Sequence, residues 1–206
     1  IFGGGAHAGQ RVDIQDFMVM VLSARSFDEA AAMSAEIYRA AGELMKEAGK
    51  LQGVADEGGF WPAFDSNEEA LGMLMRAIER AGYRPGEDVG ISLDIAASEF
   101  GRAGRYRLGL ESRELDSDGL CELLLGWLDR YPIVSIEDPL AEDDAAGMKK
   151  FTAAAGGKVQ IIGDDFLVTN AARVKEATAS GACNAVLIKP NQAGTVTETK
   201  AALDAG

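Results

Sequence analysis

Three short apolar stretches of this chain each carry a carboxylate at or near their end, and this repeated pattern limits the fold more than any other feature. They are residues 91–95 with Asp94, residues 133–137 with Glu137 and residues 159–164 with Asp164. Short apolar runs rich in β-branched residues and bounded by Gly or Pro are typical of buried strands in a parallel sheet. A buried charge is costly unless it is paired, so each acid is expected to meet a metal ion or a hydrogen-bonding partner.

The three acids are expected to lie at one common mouth. In an α/β barrel or an open parallel sheet, the carboxyl ends of the strands face the same side, and ligands bind there. Carboxylates raise each other's pKa when crowded, and an all-oxygen ligand set suits a hard divalent cation such as Mg²⁺. A lone Asp is more often the N-cap of the following helix. Finding Asp94, Glu137 and Asp164 at matching positions favours the metal site.

The alternation of strands and helices indicates the fold class. Strands are predicted over 91–95, 133–136, 159–162 and 184–188, with helices that begin near 116, 141, 170 and 195. Two earlier helices are predicted from Ser26 to about Lys50 and from Ser66 to Gly82, because each opens on Ser followed three residues later by Glu. A repeated β-α pattern is the mark of parallel α/β architecture.

Composition restricts the partners. The chain has 20 basic and 33 acidic residues and a net charge of −13, which argues against nucleic acid or an anionic membrane as a partner. No apolar run approaches the roughly 20 residues that a membrane span needs. Cys121 and Cys183 are far apart and match no metal-binding spacing, so reduced thiols in a cytoplasmic protein are expected.

Five further residues are candidates for chemistry, and three of them have an ordinary alternative. His7 lies in a glycine-rich stretch, residues 1–11, read as a loop near a ligand or as a frayed end; a lone His is more often structural than catalytic. Gln15 and Asp16 follow in a predicted strand, and Glu57 belongs to an acidic pair that also suits a solvated turn. Lys189 ends the fourth strand, where it is either a base with a lowered pKa or a counter-ion for the acids.

Taken in order, the motifs resemble enolase, the phosphopyruvate hydratase of glycolysis. They are His7-Ala-Gly, Gln15-Asp-Phe-Met, Asp56-Glu-Gly-Gly-Phe, Leu93-Asp-Ile-Ala-Ala-Ser-Glu-Phe, Tyr131-Pro-Ile-Val-Ser-Ile-Glu-Asp-Pro, Gly163-Asp-Asp and Leu187-Ile-Lys-Pro-Asn-Gln. The resemblance implies an α/β fold, an incomplete TIM-type barrel that lacks the amino-terminal domain and the last barrel strands. Residues 1–206 are then one partial barrel domain, cut at both ends.

The resemblance also implies roles for the candidate residues. Asp94, Glu137 and Asp164 match the Mg²⁺ ligands, Lys189 matches the general base, and Glu57 matches the acid that helps hydroxide to leave. His7, Gln15 and Asp16 match residues that line the substrate pocket. The implied reaction converts 2-phosphoglycerate, a phosphorylated hydroxy acid, into phosphoenolpyruvate. A homodimer is the implied assembly.

Several positions depart from the family pattern and keep two other interpretations open. Asp16 stands where the family has Glu, Ala55 where Gly is usual, Trp61 where a small residue is common, and Ala145 where Trp is common. Asp16 and Trp61 favour, modestly, another acid substrate of the same superfamily. The absent strands favour an enolase-like protein without activity that serves in binding or structure.

Overall fold

The computed structural model describes residues 1–206, which form two compact units. Unit 1 comprises Ile1–Asp94, Leu108–Arg113 and Trp127–Val134, and unit 2 comprises Ile95–Arg107, Glu114–Gly126 and Ser135–Gly206. None of the helices combines the length and the apolar character that crossing a bilayer requires.

Unit 1 contains five strands, two long helices and one turn of 3₁₀ helix. They are β1 (Phe2–Gly3), the 3₁₀ helix Gly5–Ala8, β2 (Asp16–Val21), α1 (Phe27–Glu47), β3 (Leu51–Val54), β4 (Phe60–Pro62), α2 (Asn67–Arg80) and β5 (Val89–Asp94). Hydrogen-bonded neighbours follow the order β5-β2-β1-β4-β3. All six residues of β5 are buried, as its apolar sequence predicts.

The pairing of β5 with β2 corrects one expectation. The two strands run antiparallel, with Asp16 opposite Asp94, so the parallel pairing predicted for residues 91–95 does not hold on this side of β5. A continuous apolar run indicates a strand that is buried on both faces. A central strand with an antiparallel neighbour can be buried on both faces as well. Strand direction was therefore beyond what this pattern can predict.

The two predicted helices of unit 1 are confirmed. The hydroxyl oxygens of Ser26 and Ser66 accept hydrogen bonds from the backbone N–H groups of Glu29 and Glu69, as N-caps do. Each helix buries one apolar stripe, with Ile37 of α1 and Leu74 of α2 fully covered.

The glycine-rich start of the chain is more regular than a loop. The expectation of a loop over residues 1–11 is wrong for β1 and for the 3₁₀ helix. Gly3 and Gly4 allow close packing here, because a Cβ at Gly3 would lie 2.5 Å from the Ala55 Cβ and one at Gly4 would lie 2.2 Å from the Ile14 carbonyl oxygen. Gly3 and Gly4 therefore allow the backbone to lie very close to neighbouring segments of the fold.

Unit 2 carries the strand–helix repeat. Some elements contribute residues to both units: β7 (Arg105–Leu108), β8 (Arg113–Asp116), α3 (Ser117–Arg130) and β9 (Ile133–Glu137). The others are a 3₁₀ turn (Ala97–Glu99), β6 (Gly101–Arg102), α4 (Ala145–Ala155), β10 (Gln160–Gly163), α5 (Ala171–Ser180), β11 (Ala185–Val186), α6 (Pro190–Ala193) and α7 (Val196–Ala205). β10 pairs in parallel with β9 and β11. The predicted repeat of parallel strands and helices is confirmed from residue 133 onward.

The fourth predicted strand is shorter than residues 184–188. β11 covers two residues, although the Leu187 N–H still donates to the Gly163 carbonyl at 3.1 Å. The Lys189 N–H then donates to the Thr169 hydroxyl at 3.0 Å instead of continuing a ladder. The Thr169 hydroxyl therefore accepts the backbone N–H that would otherwise have extended the pairing of β11.

A buried carboxylate–amide network fixes the segment before β2. The fully buried Asn67 donates to the Asp13 carboxylate at 2.8 Å and accepts from the Asp13 N–H at 2.8 Å. Asp13 also accepts from the Gly109 N–H at 2.6 Å. The pairing joins residues far apart in sequence and leaves Asp13 satisfied while it is only 9% exposed.

We expect Asn67→Ala to lower the free energy of unfolding by about 3 kcal/mol, because it removes partners from a buried carboxylate and a buried N–H. Urea denaturation followed by circular dichroism measures the change. Gln52→Ala, which removes an exposed amide from β3, is the matched control and should change stability little. Equal losses in the two variants would contradict a special role for the Asn67 network.

Candidate active site and metal ligands

Asp94 of unit 1 has the partner that its burial requires. It is the last residue of β5 and is 8% exposed. The Gln15 side-chain amide donates to its Oδ2 at 2.9 Å, and the Gln15 backbone N–H donates to its carbonyl oxygen at 3.1 Å. Gln15 therefore orients a predicted metal ligand, in addition to its predicted place at the substrate pocket.

His7, Asp16 and Glu57 come together in unit 1. One ligand atom from each lies within 4.8 Å of the others, and the His7 Nδ1 is 3.6 Å from the Asp16 Oδ2. The 3₁₀ helix supplies His7, β2 supplies Asp16, and the turn between β3 and β4 supplies the exposed Glu57. Three residues predicted separately from the sequence thus share one cluster.

The pKa of Asp16 is raised to about 6. Burial is the largest cause, the negative charge of Glu57 adds to it, and His7 opposes both. A carboxyl group with such a pKa exchanges protons near neutral pH, which suits a site of acid–base chemistry.

Glu137, Asp138 and Asp164 form the acidic cluster of unit 2. One carboxylate oxygen from each lies within 4.8 Å of the others, and all three residues are at most 8% exposed. Glu137 ends β9, and Asp164 directly follows β10. Parallel neighbours place these strand ends side by side, as the sequence predicts, and their oxygens are of the kind that can hold a hard divalent cation.

Asp138 was not among the predicted site residues, although it supports one of them. Its carboxylate accepts from the backbone N–H groups of Asp164 at 3.1 Å and Asp165 at 2.7 Å. Burial raises the pKa of Asp138 to about 6, and those two donors oppose the rise. The adjacent acids in Ser135-Ile-Glu-Asp were the sequence signal, but their separate roles depend on which way each side chain points.

Lys189 lies beside Asp164. It is the N-cap residue of α6, and its amine forms an ion pair with the Asp164 Oδ2. The side chain is 42% exposed, so it is only partly desolvated. The ion pair is what a counter-ion role predicts, and it also places the amine next to a predicted metal ligand; a cation at Asp164 would compete for the same oxygen.

The departures from the family pattern have local explanations in two cases. Ala55 packs against Gly3, whose missing side chain leaves the necessary space. Trp61 packs over Gly9, with its ring 3.2 Å from where a Cβ would stand. Ala145 is exposed at the start of α4, and nothing in the structure explains this substitution.

The strand–helix repeat of unit 2 and the acids at its strand ends define an α/β protein with a carboxylate cluster. A family model described as enolase, C-terminal TIM barrel domain, matches residues 1–206. The chain is 50% identical over 202 residues to the protein named Enolase 1 from Desulfitobacterium hafniense (strain Y51). This match covers 97% of the chain and 46% of that protein, so the chain spans about half the length of this curated relative. The chain belongs to the enolase C-terminal TIM barrel family, which confirms the predicted resemblance and fold class.

The raised pKa of Asp16 predicts a pH-dependent stability difference between the natural chain and Asp16→Asn. Above pH 6 the half-buried Asp16 is ionised at a cost, so the variant should be more stable by about 2 kcal/mol after allowance for solvent screening. As pH falls from 6 towards the ordinary value of 3.8, the folded carboxyl binds its proton first, and this difference should disappear.

Urea unfolding of both proteins at several pH values between 4 and 8 measures this effect. Asp129→Asn, which changes an exposed carboxylate, is the control and should show no comparable trend. A difference for Asp16→Asn that stays constant from pH 4 to 8 would contradict the shift.

Proposed function

We propose that the protein to which these residues belong dehydrates 2-phospho-D-glycerate to phosphoenolpyruvate in a Mg²⁺-dependent reaction. The proposal depends above all on the contact between the Lys189 amine and Asp164, beside Glu137, in a chain of the enolase family. A base next to metal-binding carboxylates suits removal of a proton adjacent to a substrate carboxylate, because that step builds up negative charge. We also propose glycolysis, the cytoplasm and a homodimer as its setting, on the basis of the resemblance.

Asp94, Glu137 and Asp164 are the proposed Mg²⁺ ligands. All three are acids with little exposure, and oxygen ligands fit this ion. Gln15 holds the carboxylate of Asp94, while Asp138 holds the backbone of Asp164. When bound, the cation would stabilise the negative charge that develops on the substrate carboxylate. The grouping of Asp94 with the other two acids follows from the enolase resemblance.

Lys189 and Glu57 divide the proton transfers between them. The neutral Lys189 amine takes the proton from carbon 2, and the electron pair of that bond becomes the double bond between carbons 2 and 3. Protonated Glu57 gives its proton to the departing 3-hydroxyl, which leaves as water. The two groups must begin in opposite protonation states, because one accepts a proton and the other gives one.

His7, Gln15 and Asp16 are proposed to line the substrate pocket. His7 and Asp16 contact each other close to Glu57, so the three side chains can face one bound molecule. With the shorter Asp in place of Glu, the Asp16 carboxylate is withdrawn by roughly an ångström, and small displacements in a reacting site affect the rate.

A second candidate is dehydration of a different acid substrate. The contact of Asp16 with His7 and the large Trp61 side chain are the observations that favour it. A screen of acid sugars separates the two candidates: turnover of 2-phosphoglycerate alone would remove the second. The interpretation as a binding or structural protein requires that the intact protein has no dehydratase activity.

The first test is ultraviolet detection of phosphoenolpyruvate from 2-phosphoglycerate and Mg²⁺ with the intact encoded protein. We expect Lys189→Ala to lower kcat by about a thousandfold and to abolish exchange of the carbon-2 hydrogen with D₂O. Glu57→Gln should lower dehydration similarly but retain that exchange, since proton removal precedes loss of the hydroxyl. Exposed Lys158→Ala is the control. Absence of product from the intact natural protein, or full activity in Lys189→Ala, would refute the proposal.

The second test concerns the support of Asp164. Asp138→Asn places an NH₂ group where the carboxylate accepts a backbone N–H, so the backbone at Asp164 loses a partner. We expect binding of Mn²⁺, used as a probe in place of Mg²⁺, to weaken about tenfold. Isothermal calorimetry, or electron paramagnetic resonance of free Mn²⁺, measures the affinity without turnover. Glu142→Gln, at an exposed acid nearby in sequence, should bind Mn²⁺ normally. Unchanged affinity in Asp138→Asn would show that this contact does not matter for the metal.

A further inference from the structure

Two consecutive residues after β10 adopt a disfavoured backbone conformation. Val168 and Thr169 have φ values of +46° and +50°. This left-handed region is uncommon for β-branched side chains, and such strain persists only where the surroundings hold it, often at functional sites. The turn begins at a predicted metal ligand, because the N–H groups of Leu167 and Val168 both donate to the Asp164 carbonyl oxygen, at 3.0 and 2.6 Å.

The strained turn places the Thr169 hydroxyl against the backbone of Lys189. Thr169 is 2% exposed. Its Oγ1 accepts a hydrogen bond from the Lys189 N–H at 3.0 Å, and its O–H has two acceptors, the Gln192 Oε1 at 2.7 Å and the Leu187 carbonyl oxygen at 3.4 Å. One hydroxyl group is thus acceptor and donor at the same time, and its shorter donor contact is to Gln192.

These contacts close into a ring that includes the predicted base. The Gln192 Nε2 donates to the Asp164 Oδ1 at 3.3 Å, and the Lys189 amine pairs with the other oxygen of the same carboxylate. The ring therefore runs from the Lys189 backbone through Thr169, Gln192 and Asp164 to the Lys189 side chain. Its members constrain both ends of this long and flexible residue.

Another threonine of unit 2, Thr152, makes a partly buried hydrogen bond that does not involve the base. The Thr152 hydroxyl donates to the Ala182 carbonyl at 2.8 Å in the same unit, but its hydrogen bond is to a backbone carbonyl and not to the base. Thr169 differs because its partners are the backbone of the proposed base and a side chain that contacts Asp164. Its removal should therefore disturb the position of the Lys189 amine, whereas removal of the Thr152 hydroxyl should not.

We propose that Thr169 is a positioning residue, which holds the Lys189 backbone so that the amine stays where it can reach the substrate. This inference rests on the proposed role of Lys189 as the base. A displaced base affects the proton-transfer step more than the binding of a substrate held by other groups, so kcat should fall while KM stays nearly constant.

The test compares three variants of the intact encoded protein. Thr169→Val keeps the shape and removes the hydroxyl, Thr169→Ser keeps the hydroxyl, and Thr152→Val removes a hydroxyl elsewhere in unit 2. For Thr169→Val we expect kcat with 2-phosphoglycerate to fall roughly 30-fold, with KM within about threefold. Thr169→Ser and Thr152→Val should both retain kcat within about threefold.

Backbone hydrogen exchange provides a readout that needs no turnover. The Lys189 N–H should exchange at least about tenfold faster in Thr169→Val than in Thr169→Ser, because its acceptor is gone. If the natural protein does not turn over 2-phosphoglycerate, the proposed function fails, and this exchange still decides whether Thr169 holds the Lys189 backbone. Unchanged exchange, or natural kcat in Thr169→Val, would overturn the inference.

Gln192→Met covers the case in which Thr169→Val does not fold. It removes the nearer acceptor of the Thr169 hydroxyl and the donor to Asp164 while keeping a similar volume, and it leaves the Leu187 carbonyl as an acceptor. We expect a fall in kcat with little change in KM, as for Thr169→Val. Where both variants fold, the double variant should be little worse than either one, because the residues act in series. Losses that multiply would contradict a shared ring.

Discussion

A buried carboxylate in this fold is tolerated where hydrogen-bond donors surround it, and the arrangement of the chain depends on this requirement. Asp13 receives donors from Asn67 and Gly109. The Asp144 carboxylate accepts hydrogen bonds from the hydroxyls of Ser117 and Tyr106. It also accepts one from the Gly147 N–H and so caps the N-terminus of α4. Each set joins segments distant in sequence, so satisfying one acid also fixes a loop.

The partners of Asp144, which stabilises the fold, differ from those of Asp16 and Asp164 in the candidate site. Burial raises the pKa of Asp144, but its hydroxyl and N–H donors outweigh that effect and hold the pKa below its ordinary value. Asp16 lies near Glu57 and its pKa is raised, while Asp164 pairs with the amine of Lys189. At Asp144 the neutral donors therefore favour the ionised form of the acid. At Asp164 the partner is a charged amine, and a cation would compete with it for the same carboxylate.

Much of this organisation could be read from the sequence, because it follows from local rules. Ser26 and Ser66 predict their helices through a capping pattern confined to four residues, and the apolar run before Asp94 predicts a buried strand. The direction of β5 could not be predicted, since burial leaves the same pattern in either orientation. Asp138 and Thr169 were missed because their importance comes from hydrogen bonds to residues 20 or more positions away. Such contacts leave no periodic signal.

The turns after the acidic strand ends show how the site and the fold compete. Ala96, Asp138, Val168 and Thr169 have positive φ values, and each follows within a few residues of a strand end that carries an acid. A non-glycine residue in this region costs of order 1–3 kcal/mol. The cost is met by contacts that the turns themselves create: Asp138 accepts two backbone donors, and Thr169 accepts the Lys189 N–H. A turn with ordinary φ values would avoid the strain energy but would break these hydrogen bonds. The strained backbone conformation is therefore retained where it holds the side chains that could do chemistry.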